Sequence, residues 1–391
     1  MPADAERRRR VREALAAKGL DALICRLPEN VVLLSGVYPI IGQTAVVFPV
    51  AGEPALVIPV QEEYLADRAG IGDVRPYECW RLGDPSPTDS LRKLLGQVCA
   101  DRGLSDRAVG YEDDYASFAP PQLSAESPPL TGEWVALLHE VVGAQPRPAA
   151  ELLYALRARK TPLEIERIRL ANEVACMGLE TFKAEARPGR SEAEVGAAIE
   201  RTILAEGVGF GGARSARGWA QVTSGPRTET MWYYPVSSDR RIADGDLVIV
   251  ELGVVVDGYW SDLTRTVVAG HASDRQREIY DAVSQAQAAD LAACRPGARG
   301  DEVDAVGRRV LKSAGLGEYF IHHTGHGIGF RYHEPYPWIH PDSRQTLAEG
   351  NVHSLEPGVY IPGFGGLRLE DDVLETEGGA GSLSKTDFGL D

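Results

Sequence analysis

The 391-residue sequence is poor in the features that mark several protein classes. Its five cysteines, at 25, 79, 99, 176 and 294, are odd in number, scattered and without a CxxC pair. This excludes a disulfide framework and a thiolate-rich zinc centre, and it fits small core residues in a reducing compartment. No apolar run approaches the roughly 20 residues of a membrane-crossing helix; the longest, Leu247 to Val256, is interrupted by Glu251. Four arginines stand at 7–10, but no apolar stretch follows, and Asp4, Glu6 and Glu13 argue against a transit peptide. A solvated first helix and a cytoplasmic location are expected. Basic charge is also scarce, with 41 Lys and Arg against 57 Asp and Glu, for a net charge of −16. Such a surface repels phosphate backbones and argues against a nucleic-acid partner, although any carboxylates that bind metal are counted in that total as bare charge.

With 43% hydrophobic and 25% charged residues, the chain reads as globular, and its length suits about two domains. Up to about residue 142, helical stretches alternate with β-type runs at 22–25, 44–48, 55–60 and 108–111, which predicts a small α/β domain. The Pro- and Ser-rich segment 119–130 reads as loop, and Gln145-Pro-Arg-Pro148 as a linker. The boundary is placed at 155, giving domains 1–155 and 156–391. A long helix over about 163–186 follows, opened by Thr161-Pro162 and stopped by Pro188-Gly189. The second domain also echoes itself. At a constant offset of 108, Pro188, Gly189, Glu194, Val195, Ala197, Arg201 and Gly207 return as Pro296, Gly297, Glu302, Val303, Ala305, Arg309 and Gly315. Either helices rich in Ala and Glu match by chance, or the domain is two related halves with a site between them.

The sharpest anomaly is Glu251 within an apolar strand, because an unpaired buried carboxylate costs several kcal/mol or more. Eleven residues on, Asp262 follows a turn, so two adjacent strands can set the carboxylates side by side. Either a cation bridges them or Glu251 pairs with a buried arginine such as Arg265. Further on come His322, His326 and His333 among glycines, then Glu356 before Pro-Gly and Glu370 after Arg368. Four carboxylates and one imidazole (Glu251, Asp262, His326, Glu356 and Glu370) suit a pair of Mn²⁺, Co²⁺ or Zn²⁺ ions better than a thiolate centre.

These residues resemble the pita-bread metallohydrolases, which include methionine aminopeptidase, aminopeptidase P, prolidase and creatinase. Residues 9–36 look like the amino-terminal domain of the prolidase and creatinase branch. The family's ordered metal positions map to Glu251, Asp262, His326, Glu356 and Glu370, and its two pseudo-twofold halves give the internal repeat a cause. The resemblance implies an α/β pita-bread catalytic domain preceded by a smaller α/β creatinase-type domain, two divalent ions with Mn²⁺ foremost, and a homodimer. It further implies a peptidase cleaving before proline. In that reading Glu356 shuttles a proton, His322 and His333 hold the substrate carboxylate or the developing oxyanion, and Arg368 orients the carboxylates. Trp232, Tyr233 and Tyr234 either wall the proline ring or form a structural aromatic cluster.

Two departures favour other readings. The first metal position carries Glu251 where this branch usually has Asp, as it does in the ectoine hydrolases, and no histidine lies between Ser224-Gly-Pro and the Glu251 strand. A hydrolase of another small C–N substrate, or a binding module without catalysis, are the alternatives.

Overall fold

The computed structural model describes residues 4–40, 44–67, 70–79, 83–113, 132–231, 236–386 and 389–390. Segment 119–130 and Trp232, Tyr233 and Tyr234 lie outside them. The chain divides into two compact units, the first ending at Arg157 and the second running from Ala158 to Asp391. Among the described residues no helix is long and apolar enough to cross a membrane.

The first unit begins with α1 (Ala5–Lys18), β1 (Ala22–Cys25), α2 (Pro28–Ser35), β2 (Ala45–Pro49), β3 (Ala55–Pro59), α3 (Glu63–Ala66) and β4 (Asp73–Tyr77). It continues through α4 (Pro87–Asp101), β5 (Val109–Tyr111), α5 (Gly132–Val142), β6 (Arg147–Pro148) and α6 (Ala150–Ala158). The strands form one mixed sheet in the order β4-β3-β2-β1-β5-β6. Ile24, Val47 and Val57 of the sheet pack with Leu95 and Val98 of α4 and Leu137 of α5. Two local expectations shift. The stretch read as a linker supplies β6, an edge strand where prolines cost no ladder bond. The first helix is less solvated than its arginines suggest, because it buries Arg7, Val11 and Leu15, and Arg7 Nη1 donates to the Leu156 carbonyl at 2.6 Å.

The second unit opens with α7 (Pro162–Glu185), whose N-terminus is closed by reciprocal hydrogen bonds between Thr161 and Glu164. Next come α8 (Glu192–Gly207), β7 (Ala216–Ser224), β8 (Leu247–Val256) and β9 (Tyr259–Val268), the strands forming an antiparallel sheet in that order. A second helix pair follows, α9 (Asp274–Ala293) and α10 (Gly300–Ser313). After it come β10 (Gly325–Gly327), β11 (Glu334–Ile339), β12 (Val352–Leu355), β13 (Gly358–Ile361), β14 (Gly365–Arg368), β15 (Asp371–Thr376) and β16 (Gly379–Ser382). Their five-stranded sheet runs β11-β10-β12-β15-β16, with β13 and β14 as a separate hairpin.

The two-residue period of a strand explains how β8 carries a carboxylate. Val248, Val250, Leu252 and Val254 pack with Val195 and Ile199 of α8 and Leu179 of α7, so Glu251 faces the opposite side. In β9, Leu263 and Val267 join the same core and leave Asp262, Thr264 and Thr266 on Glu251's face. The β8–β9 turn has positive φ at Asp257 (48°) and Gly258 (92°), as a tight hairpin turn requires. Asp262 pairs with Gly253 and Thr264 with Glu251, fixing the two carboxylates diagonally on one face. A bridge between Thr264 and Glu370, with Glu370 N donating to the Thr264 carbonyl at 3.1 Å, joins this sheet to the strands that follow.

Candidate metal centre

Glu251, Asp262, His326, Glu356 and Glu370 are all buried, with exposures of 4%, 0%, 1%, 8% and 1%. Their donor atoms converge with those of two more histidines as three groups, of which the group of Asp262, His326 and His333 overlaps the other two. Glu251, Asp262 and Glu370 lie within 4.8 Å of one another, as do His323, His326 and Glu356. His326 joins the two, its Nε2 standing 3.5 Å from Asp262 Oδ2 and 3.4 Å from Glu356 Oε1.

Glycines allow this convergence. At Gly325 an added Cβ would meet the Ser354 carbonyl oxygen at 2.0 Å, and at Gly327 the Tyr336 carbonyl oxygen at 2.0 Å. Only the bare backbone on either side of His326 lets β10 sit between β11 and β12.

The electrostatics call for a cation. Neither oxygen of Asp262, nor Oε1 of Glu370, has a hydrogen-bond partner among the described residues. Burial, then Glu370 and Glu356, push the Asp262 carboxyl well up; burial and then Glu356 do the same to Glu370, against the pull of Arg368. Burial alone takes Glu356 up to about 8. His326 Nδ1 is 2.9 Å from the Gly327 carbonyl, which takes its single proton, so the Nε2 lone pair faces two carboxylates. Three acidic groups and an imidazole lone pair pointing at one another fit divalent cations.

Glu251 has partners of its own. Its Oε2 forms an ion pair with Arg368, and its Oε1 accepts from the Tyr332 hydroxyl at 2.6 Å. The pairing with Arg265 is not formed: Arg265 instead bonds Asp371 Oδ1 and the Glu370 carbonyl, each at 2.6 Å. Arg368 also donates to Thr264 Oγ1 at 3.0 Å and to the Tyr360 hydroxyl at 2.9 Å.

His322 is held on both ring nitrogens, Nδ1 2.8 Å from the His323 carbonyl and Nε2 3.2 Å from the Tyr360 hydroxyl. His333 packs its ring 4.2 Å from that of His326, with Nε2 3.9 Å from Asp262 Oδ2. Burial is the leading cause that takes both imidazoles down to about 3, so both are neutral at pH 7. Sequence reasoning missed four members of the cluster. They are His323, with Nε2 3.5 Å from Glu356 Oε1; Thr264, with Oγ1 2.7 Å from Glu370 Oε2; Tyr332; and Asp372, whose Oδ2 accepts from Asp262 N at 3.2 Å. Only His323 had a visible signal, its place in the His-His-Thr-Gly-His run; the others are set by cross-strand register.

Two α/β halves closing on a carboxylate-rich cluster define a metallohydrolase. The chain belongs to metallopeptidase family M24, whose model matches residues 166–377, and residues 7–157 match the creatinase/prolidase N-terminal domain. It is 40% identical over 237 residues to an Xaa-Pro dipeptidase of Pyrococcus furiosus, a stretch that covers 61% of this chain and 66% of that relative. The match thus spans slightly under two thirds of the relative's length. Among solved structures, an Xaa-Pro dipeptidase from Bacillus anthracis superposes with a TM-score of 0.80 at 28% identity, covering 98% of each chain. A prolidase from Pyrococcus furiosus gives 0.76 at 30% identity, covering 96% of this chain and all (100%) of that one.

Proposed function

We propose that the protein is a metal-dependent peptidase cleaving short peptides before proline. The observation that carries this reading is the set of orphaned buried oxygens on Asp262 and Glu370 beside the His326 lone pair. Glu251, Asp262, His326, Glu356 and Glu370 would hold a pair of divalent ions, with Mn²⁺ the ion proposed. When bound, the pair supplies Lewis acidity toward a carbonyl and a water acidified to near neutral pH. Glu356, facing both His326 and His323, is the group that would accept a proton from the attacking water and return it to the leaving nitrogen. His333, neutral and therefore hydrogen-bonding rather than charged, orients the substrate carboxylate or the developing oxyanion; His322, expected from sequence to share that role, has both ring nitrogens engaged and positions Tyr360 instead. Arg368 fixes Glu251 and, through Tyr360, the ring of His322. The names of the relatives support the substrate class, and the family resemblance supports a homodimer; the chain's acidity and its lack of a membrane-length apolar helix among the described residues support a cytoplasmic setting.

The test is hydrolysis of Xaa-Pro dipeptides by protein stripped with a chelator and then given Mn²⁺. Activity lost on chelation and restored by Mn²⁺ is expected. Inactivity on every Xaa-Pro peptide, with cleavage of a cyclic or amidine C–N bond that depends on Glu251, would replace this reading with that of a non-peptidase hydrolase. That second reading draws on the engagement of Glu251 by Arg368 and Tyr332.

A further inference from the structure

A second set of metal-ligating side chains lies in the core of the catalytic unit. Cys294 caps the C-terminal end of α9, His353 sits on β12 and Glu375 on β15; one donor atom from each lies within 4.8 Å of the other two. The three are 3%, 0% and 1% exposed, and Cys294 packs with Ala298, Val303, Leu355 and Val373. None belongs to the carboxylate-rich centre, and their spacing in sequence gives no sign that they meet.

We propose that Cys294, His353 and Glu375 form a structural site for a Zn²⁺-class cation, distinct from the carboxylate-rich centre. His353 presents Nδ1 to the Ser354 carbonyl at 3.0 Å and Nε2 to Glu375 Oε1 at 3.0 Å. A neutral imidazole has one N–H, so one of its nitrogens points a lone pair at an oxygen. Glu375 Oε2 is buried without a hydrogen-bond partner among the described residues. One helical turn before Cys294, Asp290 Oδ2 is likewise buried and unpartnered, while Asp290 Oδ1 accepts from Gly307 N at 2.6 Å. A carboxylate oxygen left unpartnered in an apolar core is costly, and a divalent ion held by the cluster would offset that cost at Glu375 while the thiol proton leaves to solvent.

The donor set selects the ion. One sulfur, one imidazole nitrogen and one carboxylate suit Zn²⁺ or its surrogate Co²⁺, whereas all-oxygen shells suit Mn²⁺ and Mg²⁺. Ligand atoms around tetrahedral zinc lie roughly 3.4–3.8 Å apart, and these three donor atoms already lie within 4.8 Å of one another. A water would supply the fourth ligand. The ion ties the end of α9 to the strand that leads into Glu356 and to the strand that follows Glu370.

The experiment uses the full chain produced in Co²⁺-supplemented medium, because a buried site loads as the chain folds. A thiolate-to-cobalt charge-transfer band in the near ultraviolet reports this site alone, since the other centre contains no cysteine. The band is expected in the wild-type protein and lost in Cys294→Ser together with one equivalent of cobalt. If Cys294→Ser fails to fold, the single variants Cys25→Ser, Cys79→Ser, Cys99→Ser and Cys176→Ser assign the band by elimination, each being expected to retain it. Folded wild-type protein with cobalt at the carboxylate-rich centre but no such band overturns the proposal. So does a band that survives Cys294→Ser or disappears with another cysteine.

Discussion

The Tyr332 hydroxyl donates to Glu251 Oε1 at 2.6 Å, joining a residue just past the glycine-rich histidine segment to the middle of β8. It satisfies an oxygen that would otherwise be orphaned in the interior. Tyr332→Phe is expected to lower the stability of chelated protein by about 1–3 kcal/mol, the cost of leaving a buried acceptor unpaired. Added Mn²⁺ should narrow that gap, because the ion gives the carboxylate another partner. Urea midpoints with and without Mn²⁺ measure both effects.

Asp262 and Glu370 repel each other when no cation lies between them. Asp262→Asn removes one of the two charges, so chelated protein should be no less stable than wild type. The same variant should lose the gain that ligand linkage gives wild type, about 2.7 kcal/mol at Mn²⁺ a hundredfold above Kd. Thermal unfolding across a Mn²⁺ titration reads both, and Xaa-Pro hydrolysis should fall by at least about 10²-fold.

An added Cβ at Gly325 meets the Ser354 carbonyl 2.0 Å away, a backbone atom with little freedom to move. Gly325→Ala is expected to force β10 from β12, costing about 1–3 kcal/mol as overpacking does, and to displace His326. Calorimetric metal titration should then show weaker binding alongside a lower unfolding temperature. Stability loss with unchanged metal affinity would disprove the link between this glycine and the centre.

The first unit has its own pH signature. Burial pushes Glu112 up to about 7 despite hydrogen bonds from Arg26 N at 2.6 Å and Asn30 Nδ2 at 3.1 Å. A raised carboxyl pKa means that the folded state holds the proton more tightly than the unfolded one. Its contribution is therefore complete below about pH 4.5 and lost as pH rises through about 7, a span of about 3 kcal/mol. Denaturation curves of the first unit between these limits should show that slope, and Glu112→Gln should flatten it.

The five proposed ligands were legible because each breaks a local rule: Glu251 interrupts an apolar strand, His326 stands among glycines and Glu356 precedes Pro-Gly. The β8–β9 hairpin was legible too, since a turn between two apolar runs leaves few other pairings. Which cation Glu251 would meet was not. Arg265 was the arginine named for it in sequence, but Arg265 is taken by Asp371 and the Glu370 carbonyl, and Arg368 pairs with Glu251 instead.

By itself the sequence determined which carboxylates and imidazole stand out as candidate donors and the strands and helices that carry them, because periodicity, caps and glycines act over a few residues. Only the tertiary structure decided which distant groups share a cavity. Tyr332 with Glu251, Asp372 with Asp262, and Cys294 with His353 and Glu375 meet through sheet register and helix packing. Those contacts span chain separations over which local propensity carries no information, and they form because burying the apolar faces of the helices and sheets fixes where the polar faces point.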